Sequence, residues 1–245
     1  MSQQENLDQQ NLAPIVLLNQ QNPNVEANQP EPLYDIISYK INVVDKKLLD
    51  MGDKWKNLLH MTLGHTSEIS DELLRAIESN DPSKVIEELG DATFFNVGII
   101  KYLDLWKEEH FNEIISSDHK LLNLGFDWKE KTPEDFDGNK YLQFIINLIQ
   151  IQNGRIATVI KNMLIKDTPK YEGVVLTEEQ IVKLLTDQLV NLNTLSYFMG
   201  HGFQQVRHSN AIKLGLRYKE SFTAEESLNR DVEAESEALQ ETIKK

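Results

Sequence analysis

Apolar side chains recur at helical spacing along most of the chain, and this recurrence constrains the fold more than any other feature. Within residues 83–106, for example, Val85, Ile86, Leu89 and Phe94 follow the pattern of a helix rather than the alternation of a strand. Alternating strand patterns are essentially absent elsewhere. The sequence therefore predicts an all-α helical bundle, with helices over residues 34–49, 55–79, 83–106, 111–124, 141–165, 177–199, 205–218 and 224–244, and a loop over 125–139.

Turn and capping residues separate several of these predicted helices. Residues 80–83 (Asn-Asp-Pro-Ser) indicate a turn followed by a helix start, and Thr177 with Gln180 has the form of a capping box. The Gly-His-Gly run at residues 200–202 indicates a helix stop. Asn153-Gly154 interrupts an apolar segment and predicts a kink or a break there.

Composition narrows the class of protein. The chain has no cysteine, which excludes disulfides, thiolate metal sites and cysteine nucleophiles, and it carries 39 acidic against 25 basic residues. A net charge of −14 argues against nucleic acid as the main partner. The simpler interpretation of this charge is solubility. Residues 1–32, rich in Gln, Asn and Pro, predict a flexible arm without a signal peptide. No segment is long enough to cross a bilayer, so we expect a soluble, cytoplasmic protein whose all-α domain spans residues 33–245.

Two acidic pairs lie on consecutive predicted helices. Glu68 and Asp71 form the first pair, with Glu72 directly after it, and Glu88 and Asp91 form the second. A spacing of three residues places both carboxylates of a pair on one helix face. Two such helices packed together would bring about four carboxylates to one point, where they repel one another unless a cation is bound. Oxygen ligands of this kind suit Mg²⁺, or Mn²⁺.

The simpler interpretation of each pair is a solvated helix face, and this is the alternative to the metal-site hypothesis. Apolar neighbours favour the metal site, because Ile69, Leu73 and Leu89 surround the pairs instead of mixed charges. Gly90 lies inside the second pair, where a helix loses about 1 kcal/mol relative to Ala. A small residue there would permit close approach of another helix or of a ligand.

A weak internal repeat links the two halves of the chain. Residues 85–91 resemble residues 181–187, with Lys183 and Leu184 at the positions of Glu87 and Glu88. One interpretation is a duplicated helical hairpin: a metal-binding half at about 50–107, a degenerate half at about 140–203, and closing helices over 204–245. The other interpretation is coincidence between two amphipathic helices.

The acidic pairs and their surroundings resemble a known family. Residues 63–73 and 85–95, including the run Glu-Glu-Leu-Gly-Asp, are similar to the MazG-like branch of the all-α nucleoside triphosphate pyrophosphohydrolases, a superfamily that includes dimeric dUTPases and dCTP pyrophosphatases. The family pattern is Glu-x-x-Glu, a spacer, then Glu-x-x-Asp; here Asp71 replaces the second Glu, which leaves Glu72 as a possible substitute. Residues 210–218 resemble the segment that closes many such domains, and the matches cover about a third of the chain.

The resemblance implies Mg²⁺-dependent hydrolysis of a nucleoside triphosphate, and of a dNTP above all, between its α and β phosphates. It implies Glu68, Asp71, Glu88 and Asp91 as catalytic residues and, with Glu72, as metal ligands. The implied substrate-binding residues are Asn210, Lys213, Arg217, Tyr218, His65 and Phe95, and Trp55 and His60 are further candidates for the base pocket. Lys213 and Arg217, four residues apart on one predicted helix face, would hold phosphate oxygens. A homo-oligomer, dimer or tetramer, is expected.

Two rival functions bear on this prediction. A ferritin-like di-iron site normally needs Glu-x-x-His, and none of the six histidines has a Glu three residues before it. The other rival is a nucleotide-binding or assembly protein that has the fold and has lost turnover. The sequence does not select a base or a sugar, so noncanonical or excess dNTPs, dUTP and an alarmone all stay open as substrates.

Overall fold

The computed structural model describes residues 35–48, 50–111 and 138–243, and within them it confirms the all-α prediction. Helix α1 comprises Ile36–Tyr39, a π-helical turn at Lys40–Val44, and Asp45–Lys47. Helix α2 comprises Lys54–Ser67, a second π-helical turn at Glu68–Glu72, and Leu73–Ser79. A short 3-10 turn lies at Glu108–Phe111. The other helices are α3 (Pro82–Tyr102), α4 (Gly138–Lys166), α5 (Glu178–Phe198), α6 (Phe203–Arg217), α7 (Ala224–Leu228) and α8 (Val232–Ile243).

A tight turn folds α2 back on α3. Asn80 has a left-handed backbone (φ 54°), and the Asp81 carboxylate accepts the Ser83 N–H at 3.0 Å to cap α3, with Pro82 as its first residue. The Asn-Asp-Pro-Ser turn predicted from sequence is therefore confirmed. The result is a helical hairpin whose two arms pack along their length.

Two such hairpins build the centre of the molecule. Helix α4 packs on α5 as α2 packs on α3, and the hairpins meet through α2–α4 and α3–α5 contacts. Between α3 and α5, the Asn96 amide donates to the Gln188 side-chain oxygen at 3.1 Å. This is the packing that a duplicated hairpin predicts; a common origin of the two hairpins stays a prediction.

The remaining helices cover one side of this four-helix centre. Helix α6 packs on α3, α8 packs on α6 and α1 also contacts α6. Helices α3 and α6 lie very close together at Gly90, where an added Cβ would lie 2.8 Å from Cβ of Asn210. The small residue at position 90 was expected to permit close approach of another helix or of a ligand, and Gly90 indeed permits the contact between α3 and α6.

Several boundaries differ from the sequence prediction. Asn153-Gly154 causes no break, since α4 runs unbroken through it with Asn153 buried. The predicted helix over 224–244 is two helices, because Asp231 caps a new one by accepting the Ala234 N–H at 3.0 Å. A small antiparallel hairpin, β1 (Lys170–Tyr171) with β2 (Val174–Val175), was not predicted. The predicted arm over 1–32 and nearly all of the segment 111–137 lie outside the described residues.

Candidate metal centre

The hairpin register brings carboxylates of α2 and α3 together. Glu72 lies eight residues before Asn80, and Glu88 lies seven residues after Asp81, so the antiparallel arms place them opposite each other. Glu68, one turn before Glu72, completes a group of three carboxylates, in which one oxygen of each lies within 4.8 Å of the other two. Sequence analysis predicted that Glu68, Asp71 (or Glu72), Glu88 and Asp91 converge. The structure groups Glu68, Glu72 and Glu88, and Asp91 is not a member of this group.

The π-helical turn explains why Glu72, and not Asp71, joins the group. The Leu73 N–H bonds to the Glu68 carbonyl five residues back. This wider turn brings residues four and five apart onto one face and rotates a residue three apart away from it. Asp71 accordingly faces outward, where its carboxylate accepts the Arg75 Nε–H at 2.7 Å. Asp71, which was predicted as a metal ligand, is therefore not one of the three carboxylates that converge.

A side chain of the second hairpin supports this turn. In a regular α-helix the Leu73 N–H would bond to the Ile69 carbonyl, so the π-helical turn releases that acceptor. The Gln150 amide of α4 donates to it at 2.6 Å, and the Asn153 amide donates to Ser70 Oγ at 3.1 Å. Helix α4 thus supplies a hydrogen-bond donor to the Ile69 carbonyl, which the π-helical turn leaves without an intrahelical donor.

Burial makes the carboxylate group unstable as a set of bare anions. Glu68 is only 8% exposed, and its buried Oε2 has no hydrogen-bond partner among the described residues. Burial first, and the negative charge of Asp91 next, raise the pKa of Glu68 to about 10 and that of Glu88 to about 7. The carboxyls of Glu68 on α2 and Glu88 on α3 therefore behave as a pair that shares a proton. Clustered oxygen donors with one unpartnered buried oxygen fit a divalent cation.

Asp91 is held in a separate network beside the group. Its Oδ1 accepts from the Asn210 amide at 2.6 Å, and its Oδ2 accepts from the fully buried Lys213 ammonium. Lys213 also reaches Glu87 at 3.3 Å, and the Tyr39 hydroxyl donates to Asn210 Oδ1 at 2.6 Å. Burial alone would lower the pKa of Lys213, but the charges of Asp91 and Glu87 raise it, so the ammonium stays charged. The role of Tyr39 carried no signal in the sequence.

The two cations predicted to hold phosphate are both engaged by carboxylates. Lys213 is bound to Asp91, and Arg217 forms two hydrogen bonds to Glu235 of α8, at 3.0 and 2.6 Å. The expectation that Lys213 and Arg217 present a phosphate-binding face is not met by this structure. The physical reason is burial: a cation inside the protein needs a charged partner, and α3 and α8 supply it.

The candidates for a base pocket separate into two groups. Phe95 packs directly on Gly64, and its ring centroid lies 6.2 Å from that of His60, which lies 6.1 Å from that of Phe222. These three partly exposed rings form one aromatic cluster, with the buried Tyr218 ring beside Phe222. His65 is instead completely buried among α2, α4 and α5. Its burial lowers its pKa to about 4 against the opposing effect of the Asn153 and Gln188 amides, so it is neutral at physiological pH. Trp55 is 41% exposed.

A groove of about 480 Å³ opens beside the carboxylate group. It lies between the end of α2 and the start of α3, and Glu72 and Glu88 form part of its wall. Two exposed cations, Arg75 and Lys84, line it. Sequence analysis missed both, because a charged residue on an exposed helix face gives no signal until the hairpin register is known.

Comparison with known proteins adds no relative. No protein-family model, no curated protein and no solved structure matches this chain. Among the described residues, no helix combines the length and the hydrophobicity that a membrane crossing requires.

Proposed function

We propose that this protein hydrolyses a nucleoside triphosphate, above all a dNTP, between the α and β phosphates in a Mg²⁺-dependent reaction. One observation carries the proposal: Glu68, Glu72 and Glu88, from the two arms of one hairpin, place carboxylate oxygens within 4.8 Å of one another. The family resemblance of the surrounding residues supports the same reaction. The products would be a nucleoside monophosphate and pyrophosphate.

The three glutamates would hold the divalent ion, and Asp91 would add negative charge beside them. When bound, Mg²⁺ supplies neutralisation of phosphate charge and activation of a water for attack. Without a cation, the carboxylates would repel a substrate that carries about four negative charges. We therefore expect the nucleotide to bind only after the metal.

The chain's own side chains then position the reacting groups. One carboxylate of the group accepts the proton of the attacking water. Asp91 is fixed by Asn210 and Lys213, so its oxygens keep their place when the substrate enters. The aromatic cluster of His60, Phe95 and Phe222 offers partly exposed rings that a base could stack on.

The experiment is pyrophosphate release from a panel of dNTPs, dUTP included, with and without Mg²⁺. We expect Mg²⁺-dependent release, reduced at least about a hundredfold in Glu88→Gln. Glu78→Gln, a change of the same kind at an exposed position of α2, is the matched control and should keep wild-type activity. Release that persists in Glu88→Gln would refute the proposed site.

A second candidate is a nucleotide-binding protein without turnover. The observation that favours it is the engagement of Lys213 and Arg217 by Asp91 and Glu235, which leaves the predicted phosphate contacts unmade. Mg²⁺-dependent nucleotide binding without product would support this candidate. Either function fits a cytoplasmic homo-oligomer, dimer or tetramer, and gel filtration with light scattering tests that assembly.

A further inference from the structure

The groove beside the carboxylate group has a feature that the metal ligands do not explain. Its lining includes a guanidinium and an ammonium from opposite arms of the hairpin: Arg75 on α2 and Lys84 on α3. Ser79 and Ala76 lie between them on the α2 wall. Both cations are exposed, in contrast to Lys213, which is fully buried.

Asp71 orients one of these cations. Its Oδ1 accepts the Arg75 Nε–H at 2.7 Å, within one turn of α2, and both side chains are more than half exposed. An exposed pair of this kind holds its members only loosely. The contact uses Nε, so the terminal nitrogens of the guanidinium keep their donors for the oxygens of a phosphate group.

The charges of the groove set the order of binding. Three carboxylates (Asp71, Glu72 and Glu88) and two cations line the groove, so the bare groove has a net negative charge and repels a polyanion. A divalent ion on Glu72 and Glu88 reverses that balance. Arg75 and Lys84 would then lie beside the bound ion, on the exposed side of the carboxylates.

We infer that this groove is a polyphosphate subsite, in which Arg75, oriented by Asp71, and Lys84 bind the two phosphates that leave as pyrophosphate. The inference rests on the proposed function, and it gives Asp71 a positioning role in place of a metal-binding one. The ligand is the pyrophosphate portion of the substrate or the product itself. The nucleoside monophosphate portion makes no contact with these two cations.

The test is binding of inorganic pyrophosphate to the full-length protein in the presence of Mg²⁺, measured by isothermal titration calorimetry. We expect Arg75→Ala and Lys84→Ala each to weaken pyrophosphate binding by about tenfold to a hundredfold. Arg75→Lys should recover part of the loss, and Asp71→Asn should weaken binding by less than Arg75→Ala. Binding of a nucleoside monophosphate should be the same in all four variants.

Lys183→Ala is the matched control. Lys183 is also an exposed cation with a carboxylate partner four residues away, Asp187, but it lies on α5 in the second hairpin. Pyrophosphate binding should be unchanged in this variant. Circular dichroism spectra that match the wild type confirm that each exposed substitution leaves the fold intact.

The outcomes separate this inference from the proposed function. Wild-type protein that fails to bind pyrophosphate with Mg²⁺, or Arg75→Ala that binds it as well as wild type, overturns the subsite even if dNTP hydrolysis is found. Pyrophosphate binding that depends on Arg75 in a protein that hydrolyses no dNTP supports the subsite and refutes the enzyme. Nucleotide pyrophosphohydrolysis is thus not the readout of this inference.

Discussion

At the scale of single residues, Glu68 is the most informative side chain. It is almost completely buried, and the carboxylates of Glu72 and Glu88 lie beside it. Within the part of the chain that the structure describes, one of its oxygens has no hydrogen-bond partner. A buried ionisable group without a partner lowers the stability of the fold, and such groups persist where they serve a site. This is the residue-level reason to infer a bound cation.

Replacing Glu68 by Gln should therefore stabilise the metal-free protein. The amide removes the ionisable group and can donate to Glu88, so we expect the free energy of unfolding at pH 8 to rise by about 1–3 kcal/mol. Urea denaturation in the presence of a chelator measures this. A Glu68→Gln protein that is less stable than wild type without metal would contradict the account.

Gly90 gives a second prediction at this scale. A Cβ at position 90 would lie 2.8 Å from the Asn210 Cβ, so Gly90→Ala must separate α3 from α6 and should destabilise by about 1–3 kcal/mol. Gly154→Ala is the control, since a Cβ there meets nothing within 4 Å; it should stabilise by about 0.5–1 kcal/mol. Thermal unfolding of the two variants compares them directly.

At the scale of elements, the π-helical turn of α2 decides which carboxylates meet. Its surplus Ile69 carbonyl is satisfied by Gln150 of α4, so the geometry of the site depends on contact between the two hairpins. The second hairpin carries Lys183 and Leu184 in place of acidic residues, yet it contributes to the site through this hydrogen bond.

Gln150→Leu tests whether the geometry of the site depends on the hydrogen bond from Gln150 to the Ile69 carbonyl. The buried carbonyl loses its donor, which costs about 1–3 kcal/mol of stability, and the affinity for Mg²⁺ should fall because Glu68 and Glu72 lose their alignment. Gln143→Leu on the same helix is the control, because Gln143 is exposed and donates to Asn147 on its own helix. Equal Mg²⁺ affinity in wild type and Gln150→Leu would show that the turn does not need this support.

The sequence predicted those elements whose signals are local. The Thr177 capping box forms as expected, with Gln180 N–H donating to Thr177 Oγ1 at 3.3 Å. Gly200, with φ 88°, ends α5, where the His201 N–H reaches the Ser196 carbonyl at 2.9 Å. The outward rotation of Asp71 was not predictable in the same way, since it depends on a hydrogen bond from a residue 81 positions away from Ile69.

The same distinction applies to the cations. Spacing alone placed Lys213 and Arg217 on one face of α6, but it could not show that α3 and α8 cover that face. Conversely, Arg75 and Lys84 became neighbours of the carboxylate group only through the turn at Asn80. Local sequence signals thus predict the hairpin that carries the site, whereas tertiary packing determines which side chains contact one another.

At the scale of the whole molecule, the raised pKa values couple stability to pH. A carboxyl whose pKa is higher in the folded state contributes stability at low pH and loses it as pH rises through the folded value. For Glu88 that loss is complete near pH 7, and for Glu68 it continues to about pH 10. Burial lowers the pKa of His65 to about 4, so His65 changes the pH dependence of stability only below pH 7.

Metal-free protein should therefore lose about 1.4 kcal/mol of stability per pH unit between pH 7 and pH 9. Saturating Mg²⁺ should raise the stability most at pH 9 and flatten the slope, because the ion replaces the proton on Glu68. Glu68→Gln should show the flat profile without metal. Chemical denaturation at several pH values measures these slopes, and a metal-free stability that rises over this range would contradict the assignment.

The most direct test of the central claim is Mn²⁺ binding, followed by electron paramagnetic resonance, in single carboxylate variants. Convergence of Glu68, Glu72 and Glu88 predicts that each Glu→Gln change weakens Mn²⁺ binding by at least about tenfold. Asp71→Asn should bind Mn²⁺ like wild type. Loss of binding in Asp71→Asn with unchanged binding in Glu72→Gln would show that the site is built from other side chains.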